Sequence, residues 1–233
     1  MARISPAQQH YQRTVAAMAA ATAAPGGVVT GNAYDLMCAK LITDRQRLKQ
    51  IQSIQRKIEV KRELLPEYQS WIDGALSTGT GAQDMVLTTV LVWHIDVGDF
   101  ERALQIAEYA LQHNMKLPDQ YNRDTATMLL DEIPDAFIQG SPPQDVDAIA
   151  ILKRVDQLTT GKDAPDQARA KLHKALGYAC IARTGEDDLT PEQLPFAKEG
   201  LQQLQRALEL FNGIGVKKDI ERLERRIKKA TPE

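Results

Sequence analysis

Cysteine and aromatic residues are scarce in this chain of 233 residues, with two cysteines and only 5% phenylalanine, tryptophan and tyrosine together. Cys38 and Cys180 lie far apart and outside any CxxC pattern, so neither a disulfide framework nor a zinc site is indicated, and a reducing interior is the expected home. No apolar run approaches the length of a bilayer span, and the N-terminal stretch has no apolar core ahead of a cleavage site; neither membrane insertion nor export is expected. The glycine-rich loop of a nucleotide-hydrolysing motor is missing, because Gly161-Lys162 is followed by Asp163 and lacks the upstream glycine. Alternation of period two is missing too, which argues against a sheet. His10, His94, His113 and His173 fall in separate segments without a partner at ligand spacing, so they read as packed or surface histidines. No cofactor and no metal is expected.

What the sequence does have is helical periodicity and segregated charge. The formal net charge of -2 conceals three regions of different sign. From Leu64 to Val216 there are 23 acidic and 12 basic residues, whereas Lys217 to Lys229 holds seven basic and three acidic ones. The N-terminal part is basic again. Such an order fits a protein with one part facing a polyanion and another kept away from it.

The basic part centres on Lys40–Glu63, KLITDRQRLKQIQSIQRKIEVKRE, which reads as a single long helix. Leu41, Leu48, Ile51, Ile54 and Ile58 recur on one side at period 3.6, and no glycine or proline interrupts them. At roughly 1.5 Å per residue the stretch makes a rod of about 35 Å. Its other sides carry Lys40, Arg45, Arg47, Lys49, Arg56, Lys57, Lys61 and Arg62 against Asp44, Glu59 and Glu63. An ordinary solvated surface helix is the plain reading. The narrow apolar stripe and the single sign of charge favour another, in which the five apolar residues form a self-association seam and the eight cations contact a polyanion. Gln55 and Arg62 break a strict heptad, so a long coiled coil is not expected.

The rest of the chain reads as helices joined by turns, an all-α fold of long N-terminal helices followed by helical hairpins. Residues 1–31 form a helix opened by Ser5-Pro6 and a linker from Pro25; 32–66 hold the long basic helix; 67–140 form a helical-hairpin domain; 141–233 form a C-terminal helical region. Trp93, Gly98-Asp99 and the Ala103-Leu104, Ala107, Ala110-Leu111 series mark a tight hairpin like a tetratricopeptide unit. A second hairpin is expected from Asp166–Ala182 and Glu192–Phe211, and a hinge within the second half at Gly140-Ser141-Pro142-Pro143, between helices at Thr125–Gln139 and Val146–Thr159. Asp84, Asp96, Asp99, Asp119, Asp124, Asp131 and Glu132 contain enough carboxylates for a two-metal site, but most stand at helix starts or turns, where capping explains them better. No catalytic residue is assigned.

Several segments taken in order carry a resemblance: KRELLP (Lys61 to Pro66), Trp71 and Gly74, GAQD (Gly81 to Asp84), Trp93, Asp96, Gly98-Asp99, YAL (Tyr109 to Leu111), AKLHK (Ala170 to Lys174) and GVKKDIERLER (Gly215 to Arg225). The chain resembles the small terminase subunit of tailed temperate bacteriophages, in the branch whose members are called the endonuclease subunit of terminase. The resemblance implies a ring-like homo-oligomer that binds the packaging site on concatemeric double-stranded viral DNA in the cytoplasm of the infected host. It would deliver that DNA to a large terminase subunit, which holds the ATPase and nuclease, for translocation into the procapsid. Charge segregation, and not the resemblance, makes the acidic middle and the C-terminal helix with Lys217, Lys218, Arg222, Arg225 and Arg226 the expected contact with the large subunit or the portal. A helical interaction scaffold without DNA binding and a metal-dependent nuclease remain the two other readings.

Overall fold

The computed structural model describes residues 5–118, 123–140 and 146–231. Among the described residues the chain is all-α, with no strand and one isolated bridge between Val28 and Gln83. It divides into two compact units, Met1–Thr125 and Ala126–Glu233.

The first unit is built around α5 (Met85–Asp96), whose residues from Val86 to Ile95 are all buried. A helix apolar on every side has to be enclosed on every side, and the neighbouring helices do this. α6 (Phe100–Gln112) returns along α5 after a turn at Gly98, which adopts φ 79°, and Asp99 caps it by accepting from the Arg102 amide. α1 (Pro6–Thr22) starts as the sequence predicts, with the Ser5 hydroxyl accepting from the Gln8 amide at 3.2 Å and proline in the first turn. It lies close on α4 (Gln69–Thr78), where a Cβ on Gly74 would come within 2.6 Å of both Ala16 Cβ and the Arg13 carbonyl oxygen. Both tryptophans of the chain belong to this unit: Trp71 is stacked on Tyr34, and Trp93 meets Tyr68 edge to face, each pair with ring centroids 5.8 Å apart.

One expected element is corrected. The stretch Lys40–Glu63 is not a single rod but the end of α2 (Asn32–Lys49) and nearly all of α3 (Ile54–Leu64), separated by residues 50–53. Gln50 closes α2, and Ser53 turns extended (φ -67°, ψ 124°) so that its hydroxyl accepts from the Arg56 amide at 3.2 Å. A serine cap of this kind stabilises a new helix start by roughly 1 kcal/mol. The larger gain is in packing, because Val60 and Leu64 of α3 become buried, as do Leu41 and Leu48 of α2. A straight helix would have left these two pairs about 20 to 30 Å apart along the axis.

In the second unit, α7 (Thr125–Ile138), α8 (Ala148–Thr159), α9 (Asp166–Ala182), α10 (Leu194–Leu210) and α11 (Lys217–Ala230) follow one another. The hairpin of α9 and α10 is present, and its helices cross at Gly177 and Gly200, where a Cβ on Gly177 would sit 2.5 Å from Leu204 Cδ2. α11 then folds back, with Val216 and Ile220 packed beside Leu204, Tyr178 and Ile181. Ser141 to Pro143 of the expected hinge, and Asp119, lie outside the described residues.

Candidate nucleic-acid interface

Three pairings fix how the basic segment folds. Arg47 meets Glu63 at 3.2 Å, the Tyr68 hydroxyl donates to Asp44 at 2.6 Å, and Lys40 meets Glu67 at 3.0 Å. Arg47, near the end of α2, meets Glu63 in α3, whereas Asp44 and Lys40, earlier in α2, meet Tyr68 and Glu67 just past the α3 end, so the chain turns back after α2 as a hairpin. The far end of α3 is tied down: Lys61 pairs with Asp96, and Arg62 donates to the Val97 carbonyl at 3.1 Å. The turn between the helices is the free end, and Ile54 lies about 10 Å further along the α3 axis than Lys61.

This geometry sorts the eight expected DNA-contacting cations. Lys40 is held by Asp44 and Glu67 over the Tyr68 ring, Arg47 by Glu63, Arg56 by Glu59, and Lys61 by Asp96. Arg45 is half-buried and engaged as well. Glu67 and Asp96, outside the basic stretch, raise its acidic company from three residues to five. Lys49 and Lys57 remain: among the described residues neither makes a hydrogen bond or ion pair, and Lys49 is exposed while Lys57 is half-buried. They flank the turn, with Gln50, Gln52, Ser53 and Gln55 between them and no acid from Lys49 to Ile58.

The expected self-association seam divides in the same way. Leu41 and Leu48 are buried within the chain, Ile51 and Ile58 are half-buried, and Ile54 stands 76% exposed at the tip. Apolar exposure also occurs elsewhere in the unit. Tyr11 and Leu36, 68% and 73% exposed, line an open groove of about 460 Å³ between α1 and α2, together with Val15, Met37 and Trp71.

In the second unit the cations of α11 separate into two groups. Arg226 donates to the carbonyls of Thr184, Gly185 and Asp187, and Lys229 pairs with Asp188 at 2.7 Å; both fasten the helix to the loop after α9. Lys217, Lys218, Arg222 and Lys228 are exposed, and among the described residues none of them has a partner, while Arg225 reaches only the Glu221 carbonyl of its own helix.

Four of the candidate carboxylates, Asp84, Asp96, Asp99 and Asp131, are engaged within the fold. Asp84 is buried at the start of α5, where it accepts from the Leu87 amide at 3.0 Å and from Trp71 Nε1 at 2.8 Å; burial pushes its carboxyl up while these donors pull it down. Asp99 bonds His94 Nδ1 at 2.9 Å, and that bond holds its carboxyl below the usual aspartate range. His94 is buried, with Gln69 on its other nitrogen; His173 meets Gln203 at 2.7 Å and His113 lies against Tyr109. Asp131 pairs with Lys171. Among the described residues no group of three His, Cys, Asp or Glu side chains is placed to hold a metal ion.

The family model described as phage small terminase subunit matches residues 38–167, more than half of the chain, including α2 from Cys38 onward and all of α3. The chain belongs to this family. A small terminase subunit acts in viral DNA packaging, and two relatives agree with that assignment. The "Terminase, endonuclease subunit" of Escherichia phage P2 is 40% identical over 225 residues, covering 96% of this chain and 86% of the relative. The "Probable terminase, endonuclease subunit" of Haemophilus phage HP1 is 26% identical over 207 residues, covering 84% and 71%. No solved structure matches. The small terminase family match ends at the start of α9, so α10 and α11 lie outside it. No described helix is long and apolar enough to cross a membrane.

What the sequence reading missed at this site is the neutralising role of Glu67 and Asp96 and the glutamine-rich tip. Neither has a local signal, because both depend on where α3 is sent after residue 53.

Proposed function

We propose that this chain is the DNA-recognising component of a packaging terminase. It binds the packaging site on concatemeric phage DNA as a ring-like homo-oligomer in the host cytoplasm, and hands that DNA to the large subunit for cleavage and translocation into the procapsid. The observation that carries the reading is the acid-free tip of the α2–α3 hairpin with Lys49 and Lys57 unpaired, in a member of a packaging family. Phosphate contacts by such side chains supply affinity, and repetition around an oligomer multiplies it. The exposed Tyr11 and Leu36 and the half-exposed Ile51 and Ile58 offer apolar surface for self-association now that Leu41 and Leu48 are taken up inside the chain. Hydrolysis is assigned to the large subunit, and the endonuclease named in the relatives is taken as a property of the whole enzyme.

The test is retention of a duplex carrying the packaging site, together with solution mass. Retention is expected at low salt, with affinity falling by about a thousandfold or more on a fourfold rise in salt if six or more phosphates are neutralised per oligomer. Mass is expected at a multiple of the chain. A monomer that ignores duplexes would leave the scaffold reading standing, and cleavage by the purified chain with Mg²⁺ would favour the nuclease.

The exposed cations of α11 are assigned to the large subunit or the portal. Lys218→Glu with Arg222→Glu is expected to abolish co-purification of the large subunit while leaving DNA retention intact. Unchanged co-purification would remove that assignment.

A further inference from the structure

Ile54 is the most exposed large apolar side chain among the described residues, and it stands at the end of a projecting hairpin. A single exposed isoleucine is ordinary on a protein surface. Its surroundings are not. Within the tip, the side chains of Lys49, Gln50, Gln52, Gln55 and Lys57 make no hydrogen bond or ion pair among the described residues, and no acid occurs between Lys49 and Ile58. Both sides of the hairpin are held behind the tip by the Arg47–Glu63 pair and by the Lys61 and Arg62 anchors. The tip is therefore a braced wedge, apolar at its point and cationic and amide-bearing at its flanks.

A second copy of this chain is a poor occupant for this point. One isoleucine and the half-buried Ile51 fall far short of the roughly 800 Å² per partner that a stable association buries, and Lys49 and Lys57 would face their own copies. Duplex DNA suits the same chemistry. Proteins that enter the minor groove do so with lysine, arginine, asparagine and glutamine around an apolar residue that slips between base pairs and kinks the helix axis by about 20–90°. Each part of that description has a counterpart in the tip.

We infer that the α2–α3 tip is a minor-groove wedge: Ile54 partly unstacks one base step of the packaging site, Gln52 and Gln55 reach base edges, and Lys49 and Lys57 hold the phosphates on either side. The inference rests on the DNA-binding reading above and deepens it from attraction to deformation. It makes the site's flexibility part of what is recognised, because pyrimidine–purine steps open and bend at lower cost than others.

The experiment compares the full chain with Ile54→Ala and Ile54→Gln on duplexes carrying the packaging site at permuted positions. Gel mobility reports the bend, titration the affinity and its salt slope, and light scattering the mass. The wild-type chain is expected to bend the duplex, and both variants to bind with an unchanged salt slope, unchanged mass and a bend reduced to near zero. Wild-type binding to straight DNA would overturn the wedge while leaving DNA recognition intact, as would variants that bend DNA like the wild type. A fall in mass on substitution would overturn it in favour of self-association through Ile54. Absence of any wild-type binding would remove the underlying reading and the wedge together.

Discussion

Replacing Lys49 and Lys57 together with glutamate is expected to lower affinity for duplex DNA by at least about a hundredfold at moderate salt, with an unchanged thermal unfolding curve. The reversal changes the tip by four charges per chain, and every copy in an oligomer carries the change, so the loss compounds. The choice of residues follows from the ion pairs. Reversing Arg47 or Arg56 would set a new carboxylate against Glu63 or Glu59 and confuse a folding defect with a binding one. Lys49 and Lys57 have no such partner among the described residues. Gel retention of the packaging-site duplex checks the result. Retention equal to the wild type would move the phosphate contact off this hairpin, and Lys217, Lys218 and Lys228 on α11 would become the next cations to change.

Asp84→Ala should destabilise the first unit by about 2–4 kcal/mol, the sum of a lost helix cap and a buried indole N–H left without an acceptor. Asp84→Asn keeps an oxygen for one of these two donors but sets an NH2 against the other, so its cost is expected at about 1–3 kcal/mol, below that of the alanine variant. Denaturant unfolding followed by circular dichroism measures both. The pair also bears on the nuclease reading. A carboxylate that serves Leu87 N and Trp71 Nε1 inside the protein is committed to the fold. Equal stability of the alanine variant and the wild type would break that account and reopen Asp84 as a chemical group.

Local signals in the chain were legible, and non-local ones were not. Ser5-Pro6 announces α1, Gly98-Asp99 announces the α5–α6 turn, and the Asp166–Ala182 helix has the bounds its periodicity predicts, because a cap or a turn depends on a few adjacent residues. The break at residues 50–53 has no glycine or proline to mark it. Ser53 is a cap only once the chain has somewhere to go, and what sends α3 back is burial of Val60 and Leu64, neither of which belongs to the stripe read from Leu41 to Ile58. The interface followed the same rule. Eight cations were visible, but Glu67 and Asp96 reach Lys40 and Lys61 through the fold, and the two unpaired lysines emerge only after that subtraction.

Trp71 and Trp93, the only tryptophans, are both enclosed in the first unit. Tryptophan emission therefore reports on the first unit, where both indoles are buried. Its natural counterpart is the buried thiol of Cys180, pushed by its surroundings to about 11, which becomes open to alkylation only when α9 and α10 part. Tryptophan emission and alkylation of Cys180, told apart from half-buried Cys38 by peptide mapping, thus follow the two units without an added residue.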